Sequence, residues 1–387
     1  MHAEIIATGS ELLLGEVVDT NSTYIARQLR DIGLNLYYKT VVGDNEVRMA
    51  EALSIALKRS DVIITTGGLG PTIDDVTRPA IARAVDKPLI FREDLLDQIQ
   101  ARFRAYGVPM GDNNRRQAFV PDGATPIENP VGTAPAFIVE QAGRLIISLP
   151  GVPREMEYLI EHAVLPYLKA KLDLKDVIVI RTVHTVGQGE SRIDEAIGDL
   201  EEAPNPTVGL SAKAGQVDIR IAAKAATRAE AEALNAAMEA TVRERVGKFI
   251  FGVDADTLES VVAQALTDRS LSLASVECGT NGLLGGRLAT IGAAFRGGLT
   301  VSELPLDLAR AIAVANEVRA AHASDLALSV SVGRAADGPG LKLVVALTGL
   351  DQPATLERGF GGHSALAAQW ASTAALGLVW RKLMSDE

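Results

Sequence analysis

The apolar and polar positions alternate between short β-branched runs and longer stretches of helical period. Glu4 to Ala7 reads as a short apolar strand and Leu34 to Val42 as a second. Between them, Ile25, Ala26 and Leu29 recur at helical spacing. Asp19, Thr20 and Asn21 are the cap candidates for that helix, and Gly33 stops it. Asp44 or Asn45 opens a further helix through Ala50, Leu53 and Leu57. Val62, Ile63 and Ile64, followed by Thr65 and Thr66, suit a strand covered on both faces. Gly67, Gly68 and Gly70 break that pattern and Pro71 stiffens the turn. Ile73, Val76, Ile81 and Val85 then resume at helical spacing. Asp74 and Asp75 are expected in the first turn of this helix, where its dipole favours carboxylates. The βαβα order predicts an open α/β sheet with helices on both faces.

Further along, Glu93 to Tyr106 is amphipathic and helical, and Gly107 to Ala118 reads as a loop. The stretch from Pro121 to Pro135 holds four prolines and two glycines, which excludes a regular helix or a central strand. Ala136 to Glu140 and Arg144 to Ser148 form a hairpin around Gly143. Leu149 to Pro153 is a rigid loop, and Arg154, Glu155 and Glu157 begin a helix. A charged linker from Lys169 to Asp176 ends this domain. The next strand is Val177 to Val183, then a helix from Glu190 to Leu200, a hairpin at Ala214 and Gly215, and an alanine-rich helix from Ala229 to Val246. This is a small α+β unit. The last domain starts near Thr257, with a strand at Leu271 to Ser275 and a polar turn from Val276 to Gly282. A helix follows from Leu306 to Arg319, then strands at Leu326 to Val332 and Leu341 to Leu347, a hairpin turn at Ala335 to Gly340, and a terminal apolar helix entered through Gly359 to His363. The expected fold class is α/β: an open sheet over 1–170, a small α+β domain over 171–254 and a C-terminal α/β domain over 255–387.

Composition narrows the partners. A length of 387 residues with 47% hydrophobic side chains supports more than one core. The net charge of -11 argues against direct nucleic-acid binding, since phosphate backbones want a positive surface. The one cysteine, Cys278, excludes an intrachain disulfide and a cysteine-based zinc site. The opening MHAEIIATG lacks the features of a signal peptide, and no segment is long and apolar enough to span a bilayer. The expected location is cytoplasmic, away from membranes.

Candidate chemistry concentrates where the third strand ends. A strand, a glycine loop and a helix start at the carboxyl end of a parallel sheet is a ligand-binding arrangement. Two readings stand. The amides of Thr66, Gly67, Gly68 and Gly70 cradle a phosphate while Asp74 and Asp75 hold a hydrated divalent cation, or the stretch is a tight connection with acidic capping. It is neither a Walker A loop nor a complete GxGxxG. Glu11 and Asp44 follow the first two strands and approach the same rim; capping is their other reading, more so for Asp44. Arg115 and Arg116, beside Asn113 and Asn114, suit phosphate oxygens or a polar helix start. Pro150 and Gly151 belong to a second rigid loop, which forms a further pocket wall for a base or ribose or is a packing turn. Cys278 is a nucleophile if helix amides lower its thiol pKa, or a buried small hydrophobe; no spacing ties His322 or His363 to it. His184 reads as structural or solvated.

Three long strings carry a family resemblance: TGSELLLGEVVDTN from Thr8, TTGGLGPTIDDVTR from Thr65 and LPGVPREM from Leu149. With them the chain resembles the CinA family, the competence/damage-inducible proteins, over nearly its whole length. The resemblance implies a molybdopterin-binding-like first domain that hydrolyses ADP-ribose to AMP and ribose 5-phosphate, with a divalent metal and potassium as cofactors. It puts the family's glycines on Gly67, Gly68 and Gly70, its acidic pair on Asp74 and Asp75, and Glu11 in the first motif. It also implies a homo-oligomer, a dimer. The family's C-terminal domain releases ammonia from nicotinamide mononucleotide and carries Ala-Glu-Ser-Cys-Thr-Gly-Gly. Here the string is VECGTNG from Val276, with Cys278 at the family serine and Gly279 at its cysteine. The family's Tyr-Ser-Asn segment and following lysine fall on Gly298 to Pro305, which has neither tyrosine nor lysine. Its Thr-Gly-Ile-Ala-Gly-Pro turn is altered at Ser331 to Ala336. The expectation is a C-terminal domain that keeps its fold and loses deamidation. The alternatives are a nucleotide- or pterin-binding protein without turnover, and a deamidase acting through Cys278.

Overall fold

The computed structural model describes residues 1–335, 340–360 and 364–384. Part of the turn expected at Ala335 to Gly340, the last residue of the altered Ser331 to Ala336 turn, and the lead-in through His363 lie outside the described residues. The chain divides into two compact units, Met1–Val179 with Lys224–Ala231, and Ile180–Ala223 with Glu232–Glu387.

The first unit opens with β1 (His2–Thr8), the short α1 (Ser10–Leu13), α2 (Thr20–Asp31), β2 (Asn35–Val42), α3 (Glu46–Arg59) and β3 (Val62–Thr66). There follow α4 (Thr77–Ala84), β4 (Leu89–Phe91), α5 (Glu93–Tyr106) and a 3-10 turn at Asp112–Ala118. The unit continues with β5 (Phe119–Pro121), β6 (Thr125–Ile127), β7 (Ala136–Gln141), β8 (Arg144–Leu149), α6 (Pro153–Leu159) and α7 (Leu165–Leu172). The main sheet runs β2-β1-β3-β8-β7-β6, parallel from β2 to β8 and antiparallel beyond. Adjacent strand residues point to opposite faces, so the apolar doublets serve two cores. Ile6, Ile63 and Ile146 pack with Met49, Leu53 and Ile81 on one face. Ile5, Ile64 and Ile147 pack with Ile25, Leu29 and Met156 on the other. Both faces being covered explains why β3 is apolar without alternation.

Caps follow local chemistry. Asp19 Oδ1 accepts from Ser22 N at 2.8 Å and starts α2; Asn45, not Asp44, starts α3, accepting from Arg48 N at 3.0 Å. The expected place of the acidic pair is corrected. Asp74 and Asp75 precede α4 rather than occupy its first turn, which contains no acidic residue. Asp75 turns back on its own loop instead, and Pro79 near the helix start needs no donor there.

The second unit, with the strand that leads into it, holds β9 (Val177–Val186), α8 (Glu190–Ile197), β10 (Thr207–Lys213), β11 (Gln216–Ala225), α9 (Arg228–Val246) and β12 (Ile250–Val253). Their sheet order is β10-β11-β9-β12. His184 is structural here: Nδ1 lies 2.7 Å from Asp218 Oδ1 and Nε2 3.0 Å from Asp254 O. The remaining elements are α10 (Leu258–Asp268), β13 (Leu273–Cys278), α11 (Leu283–Ala289), β14 (Phe295–Val301), α12 (Leu308–Ala321), β15 (Leu326–Arg334), β16 (Leu341–Thr348), β17 (Ala354–Phe360) and α13 (Ser364–Met384). Their sheet order is β14-β13-β15-β16-β17. The stretch Val276 to Cys278, expected as turn, is the end of β13, in register with β14 and β15 on either side. Among the described residues no helix is long and apolar enough to cross a membrane.

Candidate functional site

The carboxyl ends of β1, β3 and β8 open into a cavity of about 450 Å³. Glu11, Asp44, Asp74, Asp75 and Glu155 line it, together with Gly67, Gly68, Gly70, Pro150 and Gly151. Among the described residues no lysine or arginine lines it. Thr66 is buried below the rim and lines a smaller cavity of about 160 Å³ instead. Its Oγ1 donates to Pro150 O at 3.2 Å and accepts from Asn21 Nδ2 at 3.1 Å, which ties β3 to the loop after β8. Asn21 Nδ2 also donates to Gly151 O at 2.8 Å.

The glycine loop has a steric reason. Gly67 has φ +102°, and a Cβ there would run into Thr8 O. Its amide donates to Leu149 O at 3.1 Å, joining the ends of β3 and β8. The amide of Gly70 is also spent, donating to Asp75 Oδ1 at 2.8 Å. Asp75 Oδ2 accepts from Thr72 N at 2.8 Å and from the Thr72 hydroxyl. A carboxylate offers about four acceptor sites, so the latch leaves Asp75 little capacity for anything else. Asp74 is exposed, and the polar Thr72 side chain beside it draws its carboxyl below the ordinary carboxylate range.

Two further carboxylates complete the wall, and one arginine supports it from behind. Asp44 Oδ2 accepts from Ser10 N at 2.8 Å and so anchors the short turn that carries Glu11. Glu155 sits at the start of α6, where Gly132 leaves room that any Cβ would fill. Asn129 Nδ2 donates to its Oε2 at 2.6 Å. Burial pushes the Glu155 carboxyl up, against the Asn129 hydrogen bond and the nearby Arg154. Arg78 is 3% exposed; its Nη2 donates to Leu69 O at 2.8 Å and its Nη1 to Gly70 O at 3.4 Å, so it braces the loop from behind. Desolvation pulls its guanidinium down to about 10, partly offset by Asp75.

The structure thus brings Glu11, Asp74, Asp75, Pro150, Gly151 and the three glycines together. It does not bring Arg115 and Arg116 to the same cavity. Arg115 stands over the Phe91 ring at 5.2 Å, and Arg116 lines a neighbouring cavity. Both lie on the exposed side of a 3-10 turn whose buried residues are Asn114, Gln117 and Ala118. Sequence reading missed Glu155 and Arg78 as parts of the site. The PREME string marked only a helix start, and a buried arginine is invisible without the loop it supports.

Among the described residues no set of three His, Cys, Asp or Glu converges to hold a metal alone. The donor chemistry nevertheless fits a hard divalent ion, which takes one or two carboxylates and completes its shell from water and a ligand's phosphate oxygens.

In the second unit, Cys278 ends β13 and is partly exposed. A cavity of about 760 Å³ nearby is lined by Glu259, Thr280, Asn281, Arg287 and others, without Cys278. Glu277 is 2% exposed and accepts from Thr280 Oγ1, Leu284 N at 3.1 Å, Gly285 N at 2.8 Å and Thr300 Oγ1 at 3.3 Å.

Comparison with known proteins matches residues 4–170 to the model described as "Probable molybdopterin binding domain". Residues 180–252 match the "Damage-inducible protein CinA KH domain". The competence-damage inducible protein of Alkaliphilus oremlandii is 45% identical over 289 residues, 74% of this chain and 70% of that protein. A crystal structure of CinA, of unknown function, from Thermoplasma acidophilum covers 44% of this chain and 97% of its own at 35% identity, with a TM-score of 0.40. The competence-damage inducible protein of Halothermothrix orenii is 42% identical over 325 residues, 83% of this chain and 75% of its own length. By that extent of identity the chain belongs to the CinA family, with a molybdopterin-binding-like domain at its N-terminal end.

Proposed function

We propose that the first unit hydrolyses ADP-ribose to AMP and ribose 5-phosphate with a divalent metal, assisted by potassium. One observation carries this reading: five carboxylates and a glycine loop share a cavity without a cationic side chain. Such a cavity repels a phosphoanhydride unless bound cations come with it, which is the requirement of metal-assisted phosphoryl chemistry. The ion, when bound, would polarise a phosphoryl oxygen. Asp74 and Glu11 would hold it together with the substrate's own oxygens. Asp75 and Arg78 would keep the loop in shape. Glu155, with its raised carboxyl, would take a proton from the attacking water. Water adds to one phosphorus, the bond to the bridging oxygen breaks, and each product leaves as a phosphate monoester. The test is release of both products from ADP-ribose by the full chain across divalent metals, with and without potassium. Turnover that requires a metal and rises with potassium is expected; no turnover under any metal favours binding without catalysis.

We further infer that deamidation of nicotinamide mononucleotide is lost. Cys278 does not line the nearby cavity, and the segment resembling the family's Tyr-Ser-Asn has neither tyrosine nor lysine to move a proton. The full chain should release no ammonia beyond a Cys278→Ala control. Sustained release that disappears in the variant would restore a cysteine enzyme.

A further inference from the structure

A second cavity of about 380 Å³ lies across the Gly70 to Asp75 loop and shares Gly70, Thr72 and Asp75 with the first. Its character is different. Val76, Pro79, Leu89 and Phe119 give it apolar walls, and Ile73 stands on the loop between the cavities with 84% of its surface exposed. A large apolar side chain held in water at a cavity mouth stabilises nothing in the free chain, but would bury surface against a ligand's face. Arg78 also lines this cavity. Its Nε is buried with no hydrogen-bond partner, so a guanidinium already out of water keeps one donor in reserve. Arg116 adds an exposed cation and Glu46 a partly exposed carboxylate at the walls.

We propose that this second cavity is a base subsite, taking the adenine of the nucleotide whose phosphoanhydride lies in the first cavity; the assignment rests on the hydrolytic reading above. Apolar walls with an aromatic ring suit the faces of a planar heterocycle, and arginine donors suit its ring nitrogens. A phosphate or a bare sugar would leave the walls unmatched and would want the polar first cavity instead. The shared loop spans both ends of one ligand: Thr72 and Asp75 touch each cavity, so a ribose crossing the loop would join base to phosphate.

Calorimetric titration of the full chain with AMP, ribose 5-phosphate and pterin, in magnesium, tests this. AMP is expected to bind at least about tenfold more tightly than ribose 5-phosphate. Ile73→Ser, at a position too exposed to affect folding, should bring AMP close to the ribose 5-phosphate value and leave ribose 5-phosphate unchanged. Phe119→Ala should do the same. Equal affinities in the parent, equal weakening of both ligands in Ile73→Ser, or tighter binding of pterin than of AMP would each overturn the assignment. Absence of ADP-ribose turnover alongside selective AMP binding would sink the hydrolytic reading and leave the base subsite standing.

Discussion

The turn after β3 and the turn after β13 both leave the carboxyl end of a parallel strand, pass through glycines and enter a helix. In each, one acidic side chain gathers backbone amides, those of its own loop in the first and those at the start of α11 in the second. Asp75 takes Gly70 N and Thr72 N; Glu277 takes Leu284 N and Gly285 N. The difference lies in what surrounds the latch. Around Asp75 four more carboxylates face a common cavity. Around Glu277 the neighbours are hydroxyls that satisfy it, and Glu259 is paired with Arg287 Nε. The first turn has acidity left over, which on the proposed function would serve a ligand and its cations; the second has spent its own on holding the fold. A strand–glycine–helix turn is therefore not a site by its backbone alone. The uncommitted groups decide.

The largest expected effect separates latch from ligand within the first turn. Asp75→Asn keeps the size but removes the charge and one of two acceptor oxygens, so Gly70 N or Thr72 N loses its partner. Unfolding in urea should show a loss of about 1–3 kcal/mol, and turnover of ADP-ribose should fall with it. Asp74→Asn should leave the urea midpoint where it is in the parent, because the side chain is exposed, while raising the metal concentration needed for turnover. A stability loss in Asp74→Asn, or none in Asp75→Asn, would reverse the two roles.

In the second unit the same substitution should act on folding only. Glu277→Gln leaves buried donors short of acceptors around α11 and is expected to cost about 1–3 kcal/mol in the urea transition. ADP-ribose turnover by the folded variant should match the parent. A drop in turnover without a drop in stability would break the contrast between the turns.

Much of this was legible in the sequence. Val62 to Thr66 announced a doubly covered strand, Gly143 a hairpin, and Glu93 to Tyr106 the full extent of α5. What escaped were edges and long-range approaches. β6, β12, β14 and β17 all close a sheet, and their glycines, prolines or charges give no alternating signal. They are strands because a neighbour offers a ladder, a fact absent from local pattern. The site was half legible for the same reason. Glu11, Asp74, Asp75 and the glycines lie in conspicuous strings. Glu155 acquires its character only because Gly132 and Asn129 fold against it, and Arg116 is carried to the other cavity by a turn that read as a loop.

The smallest expected effect concerns Glu155. Its carboxyl is pushed up by burial, so the folded chain keeps a proton that the unfolded chain has already released. The sign follows: stability from this group is complete below the ordinary carboxylate range and is lost as pH rises through the raised value. Glu155→Gln cannot titrate. Relative to the variant, the parent should therefore lose stability with rising pH across that window, and the difference should level off above it. Urea midpoints measured at closely spaced pH values read this directly. Turnover provides an independent measure, since a residue that takes a proton from water should impose an acid limb on the rate profile. In Glu155→Gln that limb should vanish and the remaining rate should be low. Parallel stability curves for parent and variant would show that Glu155 is not the burdened carboxyl of this cavity. An unchanged rate profile would leave it a wall residue held by Asn129.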